Sequence, residues 1–165
     1  RQMCIRDRTL DRQYMFGDNI LVAPILNDEG IAEYYVPEGK WTDIITGKVL
    51  EGGKWYKHKC SYFEIPALAK PNSIIAYGNF ERQIEYDYLE GTTFTIYELE
   101  DGKSAVCPIY DTEANKVFEL TATRHGNKIE CEYTDTKASF KIAVANTDKT
   151  VEIAPNFSGK VIIEL

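Results

Sequence analysis

The sequence predicts an all-β chain built as two consecutive small antiparallel β-sandwich modules, over 17–78 and 79–165. Three observations predict it. Short segments of alternating or continuous apolar residues recur at intervals of about 8–12 residues, the spacing of antiparallel sandwiches. Between them stand turn formers, at Pro37-Glu38-Gly39, Thr46-Gly47-Lys48, Gly52-Gly53, Glu100-Asp101-Gly102-Lys103, Gly126-Asn127, Asp135-Thr136 and Ser158-Gly159. Pro presets φ in such turns and Gly can take it positive. The sole helical candidate, Leu10 to Met15, is too short to be stable alone.

Taken in order, Ile20-Leu21-Val22-Ala23-Pro24-Ile25-Leu26 is a continuous apolar run bounded by Gly17-Asp18-Asn19 and Asn27-Asp28-Glu29-Gly30, as expected of a strand buried on both faces. Pro24 lacks an N–H and implies an edge or a bulge. Ile31 to Val36 reads as the next strand and as its hairpin partner. Trp41 to Ile45, Val49-Leu50, Trp55 to Cys60 and Ser61 to Ile65 follow, and Ile74-Ile75-Ala76-Tyr77 closes the first module. The pattern restarts near Asn79-Phe80. Ile84 to Tyr88 and Phe94 to Leu99 alternate, with Phe94 and Ile96 on one face and Thr95, Tyr97 and Leu99 on the other. Glu100-Asp101-Gly102-Lys103 reads as a hairpin turn. Val117 to Thr123, Lys128 to Tyr133, Phe140 to Val144, Thr150 to Ile153 and Lys160 to Leu165 complete the strands.

At 165 residues with 44% hydrophobic and 12% aromatic content, the chain has material for a packed core. Its 26 acidic and 19 basic residues leave a net charge of −7. That balance excludes the clustered cations needed against phosphates, and the short run Lys54, Lys57, His58, Lys59 reads as a solvated strand face. No stretch approaches the roughly 18 apolar residues of a membrane helix. With Cys4 in an irregular leader, Cys60, Cys107 and Cys131 remain, an odd number without the spacing of a disulfide framework or zinc site. Unpaired, mostly buried thiols in a cytoplasmic protein are expected.

Tyr14-Met15-Phe16-Gly17-Asp18-Asn19-Ile20-Leu21-Val22-Ala23-Pro24 carries a family resemblance, continued in order by Tyr35-Val36-Pro37-Glu38-Gly39-Lys40-Trp41-Thr42-Asp43, Gly52-Gly53-Lys54-Trp55, Ile65-Pro66 and Ile74-Ile75-Ala76-Tyr77-Gly78. Asp101-Gly102-Lys103-Ser104-Ala105-Val106-Cys107 and Arg124-His125-Gly126-Asn127 extend it. The set resembles glycoside hydrolase family 31 where the chain leaves the catalytic barrel, nearest its bacterial α-xylosidase branch. The resemblance implies that residues 10–16 are a short remnant of an upstream (β/α)8 barrel, 17–78 the proximal and 79–165 the distal C-terminal β-sandwich. Met3-Cys4-Ile5-Arg6-Asp7-Arg8 resembles translated adapter sequence, so residues 1–9 are set aside as an artefact.

Retaining glycosidases of this kind use two carboxylates about 5–5.5 Å apart. In the family both are barrel aspartates upstream of this segment, and Asp11 and Asp18 fall too late in the pattern to be either. No catalytic, cofactor-binding or metal-ligating residue is therefore assigned. Asp101-Gly102 lacks the remaining acids of a calcium loop, and His58 and His125 stand far apart. Trp41 and Trp55 are the candidate sugar contacts, since aromatic faces suit pyranose rings; as large aromatics at strand positions they equally suit a core. The resemblance implies a non-catalytic part of an enzyme that hydrolyses terminal α-xylosyl or α-glucosyl units without a cofactor. Its implied partners are the upstream barrel, through it an oligosaccharide, and further copies of the chain in a homo-oligomer. The alternative is an independent carbohydrate-binding module.

Overall fold

The computed structural model describes residues 12–79, 87–134, 136–155 and 159–165. They form strands and turns in two compact units that divide between Pro71 and Asn72.

The first unit contains β1 (Tyr14–Phe16), β2 (Ile20–Val22), β3 (Ile31–Val36), β4 (Lys40–Asp43), β5 (Val49–Glu51), β6 (Lys54–Lys59) and β7 (Ala67–Ala69). Five of them make an antiparallel sheet in the order β1-β2-β7-β4-β5, and β3 pairs with β6 as a two-stranded ribbon. The segment from Ile31 to Lys59 is in effect one long hairpin, bent in the middle. Val36 lies opposite Lys54 in the ribbon and Lys40 opposite Glu51 in the sheet. Three residues, 37 to 39, therefore face two, 52 and 53, and such a mismatch sharpens the local bend. Gly52 donates to Gly39 O at 2.7 Å and Gly53 to Val36 O at 2.8 Å across the corner. The approach is so close that a Cβ on Gly52 would sit 1.7 Å from Pro37 O.

Folding the hairpin at this corner brings Tyr34 and Val36 from the ribbon into one core with Leu21, Trp41, Leu50 and Leu68 from the sheet. On that side of the ribbon Tyr34 stacks on its cross-strand partner Tyr56, and on the other side Tyr35 meets Trp55 edge-on. The free edge of β3 is closed by a side chain. Gln13 donates Nε2–H to Tyr35 O at 2.9 Å and accepts Tyr35 N–H on Oε1 at 2.7 Å, as a neighbouring strand would. The opposite edge, β6, carries Lys54, Lys57 and Lys59 in exposed positions, which discourages further strand addition.

Three expectations for this region change. Of the described part of the helical candidate Leu10 to Met15, Arg12 lies in a single 3-10 turn while Tyr14 and Met15 pair with Val22 and Leu21 as β-strand, so the expected barrel remnant is not confirmed. The strand expected over Ile20 to Leu26 stops at Val22. Ala23 still donates to Pro66 O at 2.9 Å, but Pro24 has no N–H to continue the ladder. The expected hairpin between that strand and Ile31–Val36 is absent, since each has found a partner farther along the chain.

The second unit contains β8 (Ser73–Tyr77), β9 (Thr92–Tyr97), β10 (Ser104–Tyr110), β11 (Lys116–His125), β12 (Lys128–Tyr133), β13 (Phe140–Val144), β14 (Thr150–Ile153) and β15 (Lys160–Glu164). Two four-stranded sheets, β14-β13-β9-β8 and β10-β11-β12-β15, share one core. Phe94, Phe118, Tyr133 and Phe140 meet at its centre with ring centroids 5.2–6.4 Å apart. Offset and edge-on ring pairs of this kind contribute about 0.5–1.5 kcal/mol each beyond their buried area. Pro108 falls in β10, an edge strand, where its missing N–H is tolerated.

Here too the structure refines the expectation. Ile74 to Tyr77, read as the close of the first module, pairs with Thr92–Tyr97 in the second, so the units divide near 71/72 rather than 78/79. Not every pair is antiparallel: Phe140–Val144 runs parallel to Thr92–Ile96. Glu100 to Lys103 is a tight turn, with Lys103 N–H donating to Glu100 O at 3.1 Å, but it joins strands of different sheets instead of a hairpin. Residues 80–86, and with them most of the strand expected at Ile84 to Tyr88, lie outside the described residues.

Two measurements follow from the first unit. Gly52→Ala is expected to cost about 3 kcal/mol or more, because the backbone of the corner must move apart; calorimetry should show a loss of roughly 10 °C or more in the unit's Tm. Burial, with Asp43 and then Cys60 and Tyr56 adding, pushes the Tyr34 phenol up to about 12. The unfolded chain loses that proton near pH 10. Stability from the neutral phenol is thus whole below about pH 10 and declines as pH rises toward 12. Urea titrations across that window should show a smaller alkaline loss in Tyr34→Phe than in the parent chain; equal losses would remove Tyr34 as the cause.

Candidate functional site

An open cleft of about 470 Å³ lies in the first unit, between the ribbon and the β4–β5 hairpin. Strand alternation decides what enters it. Tyr34 on β3 and Tyr56 and His58 on β6 share the inward side of the ribbon, while Trp55 and Lys57 point to the opposite side. From the sheet, Asp43 at the end of β4 reaches the cleft at its base. Asp43 is only 7% exposed, and its Oδ1 accepts the N–H groups of Ile45 and Thr46, both at 2.9 Å. This Asx turn carries Ile45, Thr46 and Lys48 along the rim. Glu64 and Ile65 complete the lining from the loop before β7.

The chemistry of these groups can be read from their surroundings. His58 Nε2 lies 3.5 Å from Cys60 Sγ, the spacing of a nucleophile and its base. Burial, followed by the Glu64 carboxylate, pushes the Cys60 thiol up, and Asp43 adds in the same direction. A thiol so placed is held protonated, the opposite of an activated nucleophile. Hydrogen bonds from Ser61, whose N–H lies 2.8 Å from Oε2, hold the Glu64 carboxyl below its ordinary range. A general acid in glycoside hydrolysis needs the reverse shift. Among the described residues no group of three or more His, Cys, Asp or Glu side chains could hold a metal ion.

Trp41 and Trp55 are not brought together. Trp41 is 4% exposed in the core of the first unit, its Nε1 buried and without a partner among the described residues, so the ring is not open to a ligand. Trp55 is 45% exposed on the outer side of the ribbon, beside Tyr35. A smaller cavity of about 320 Å³ on that side is lined in part by Arg12, Glu33 and Lys57, where Arg12 and Glu33 form an exposed ion pair at 3.1 Å. Sequence reasoning missed Tyr34, Asp43, Tyr56 and Glu64. The signal available was local: an Asp three residues before Thr46 marks an Asx turn, but nothing in the sequence says that β3 and β6 fold over it.

In the second unit Asp101 sits in a turn and His125 ends β11, paired with Lys128. Asp101 Oδ1 accepts the Gly126 N–H at 2.6 Å, and Arg124 donates to Leu99 O and Gly126 O, both at 2.9 Å. The stretches Asp101-Gly102-Lys103 and Arg124-His125-Gly126, distant in sequence, are thus one bonded corner with a structural purpose.

Comparison with known proteins agrees with this architecture. Residues 5–75 match the family described as Glycosyl hydrolase family 31 C-terminal domain, and 87–165 match Alpha-xylosidase YicI, C-terminal domain. The first match begins inside the segment 1–9 that the sequence reading set aside. The α-xylosidase XylQ of Lactiplantibacillus pentosus is 31% identical over 145 residues, 86% of this chain and 19% of that protein. An α-xylosidase of Emericella nidulans is 45% identical over 135 residues, 73% of this chain and 17% of its own length. The chain thus spans about a fifth of the curated relatives it matches. Among solved structures, a Flavobacterium johnsoniae dextranase superposes with a TM-score of 0.82 at 16% identity, covering 98% of this chain and 28% of that one. A cycloalternan-forming enzyme of Listeria monocytogenes gives 0.80 at 21% identity, covering 98% and 19%. At these identities the superpositions speak for the fold alone, and with the sequence matches they lead to one conclusion: the chain belongs to glycoside hydrolase family 31, in its C-terminal β-domains, with α-xylosidases among its relatives.

Proposed function

We propose that the chain is the non-catalytic C-terminal part of a retaining glycosidase that hydrolyses terminal α-xylosyl or α-glucosyl units, and that it buttresses the catalytic barrel and contributes to subunit contacts. The observation that carries this reading is β1. All three of its side chains are exposed, Phe16 at 65%, although Tyr14, Met15 and Phe16 are large and apolar. A strand normally hides one face. Here neither face is covered by the described residues, and Leu26 is exposed as well. An apolar surface of this kind at the start of the first unit suits packing against a preceding catalytic domain. The names of the sequence relatives support the α-xylosidase direction, and the lowered Glu64 carboxyl and protonated Cys60 support a non-catalytic part. We place the protein in the cytoplasm, where unpaired thiols such as Cys60, Cys107 and Cys131 persist.

The purified chain is expected to release no product from an aryl α-xyloside or α-glucoside above a buffer blank. It is also expected to bind a hydrophobic dye and to scatter more light with rising concentration, and Met15→Ser with Phe16→Ser should reduce both. Measurable turnover, or a dye-silent monomer at every concentration, would remove the buttressing role.

A further inference from the structure

We infer that β15 is a pairing edge through which two copies of this chain join about a two-fold axis at Ile162, making one continuous sheet from their two β10-β11-β12-β15 sheets. The contact is one of the subunit contacts proposed above and rests on that reading, but it is separate from the packing of β1 on a catalytic domain.

β15 is the outermost strand of its sheet, and among the described residues no strand lies on its outer side. The backbone bonds already made show which groups are left. Tyr133 donates to Gly159 O and Leu165 to Asn127 O, both at 3.0 Å. By the alternation of an antiparallel ladder, Val161 and Ile163 are also bonded to β12, opposite Cys131 and Ile129. Lys160, Ile162 and Glu164 therefore turn their N–H and C=O groups to the open edge, where such groups are a template for another strand. Several other edges are poor templates. Gln13 closes β3, lysines of like charge line β6, Pro108 interrupts β10, and β1 and β5 have three residues each.

The order of side chains names the partner. Lys160, Ile162 and Glu164 are all exposed on one face of β15, whereas Ile163 lies in the core. Antiparallel pairing of two copies centred on Ile162 sets Ile162 against Ile162 and Lys160 against Glu164 of the second copy, twice over by symmetry. Each facing pair then exchanges both of its backbone bonds. Within one copy Lys160 lies 3.5 Å from Glu132, and Lys128 lies 3.2 Å from Glu164, across the β12–β15 ladder. Across the joint the row reads Glu132, Lys160, Glu164, Lys128, and the sign of charge alternates at every step. Ile162, 51% exposed in one copy, covers its own twin. A slip of two residues sets Lys160 or Glu164 against Ile162 and loses the ion pairs, so the side chains fix the register. A second copy supplies this complementary order by identity.

A single edge-to-edge strand contact falls below about 1,200 Å² of buried surface, so a weak dimer with a Kd on the order of 100 μM is expected. The test is sedimentation equilibrium of the chain carrying Met15→Ser and Phe16→Ser, which removes association through β1, at concentrations up to about tenfold above that Kd. A monomer–dimer equilibrium is expected. Lys160→Glu and Glu164→Lys should each weaken it about tenfold or more by setting like charges opposite each other, and the double exchange K160E/E164K should restore it. Restoration identifies a contact between copies, because within one copy the double exchange sets like charges against Glu130, Glu132 and Lys128 and repairs nothing. Ile162→Pro, which removes an N–H that the joint alone uses, should leave a monomer, with its fold checked by circular dichroism. Amide exchange needs no change in β15: the amides of Lys160, Ile162 and Glu164 should exchange more slowly as concentration rises. A monomer at every concentration, a dimer indifferent to the single reversals, no rescue in a folded double variant, or amide exchange at these residues independent of concentration would each overturn the proposal. The amide result decides even where a reversed variant fails to fold, and none of these outcomes alters the dye binding at β1 by which the buttressing role is judged.

Discussion

The first unit depends on the close passage of two backbone segments at one corner. Gly52 and Gly53 run against Pro37 to Gly39, and the 2.7 and 2.8 Å hydrogen bonds between them let a single hairpin belong to two layers. Without that bend the ribbon would extend away from the sheet, exposing Tyr34 and Val36 and leaving Trp41 and Leu50 uncovered. The core of a domain this small has little surplus burial, so losing one layer would remove most of its stability. The same bend creates the cleft, because the ribbon closes over the sheet around Tyr34 but stands clear of it toward His58 and Glu64.

The second unit solves the same problem differently. Its chain lays β8 and β9 in one sheet, β10, β11 and β12 in the other, returns for β13 and β14, and crosses again to β15. Each crossing ties the sheets together, and the aromatic cluster of Phe94, Phe118, Tyr133 and Phe140 draws on both of them. The parallel pairing of β13 with β9 follows from this route. A strand returning from the opposite sheet enters beside β9 with its direction already set, whereas a strand arriving from a short hairpin would run antiparallel. The corner of Asp101, Arg124 and Gly126 secures one of these crossings, which gives the resemblance residues there a physical reason.

Edges and faces connect the fold to function. Gln13 closes β3 and lysines guard β6, so the ribbon is protected against adventitious pairing. Among the described residues β1 has no such protection: it is an edge strand with exposed Tyr14, Met15 and Phe16. Gln13 thus blocks one sheet edge with a side-chain amide while β1 leaves another apolar, the contrast on which the proposed buttressing role rests.

The all-β class, most strands and most turns were legible in the sequence, because alternation and turn chemistry are local: Phe94 to Tyr97, Lys128 to Tyr133 and the Gly126-Asn127 turn needed no distant partner to be recognised. Family membership was legible for the same reason, in ordered motifs. Partner choice was not. Ile74 to Tyr77 announces a strand, but only tertiary packing assigns it to the second unit, and Ile31 to Val36 pairs with the distant strand β6, Lys54–Lys59, rather than with its apolar neighbour. Tyr14 and Met15, read as the end of a helix, became a strand once Leu21 and Val22 offered a ladder. The two tryptophans show the same division. Sequence marks Trp41 and Trp55 alike as large strand aromatics, and the bend at Gly52 alone puts one in the core and leaves the other outside, since burial depends on which layer folds over a residue and not on the residue itself.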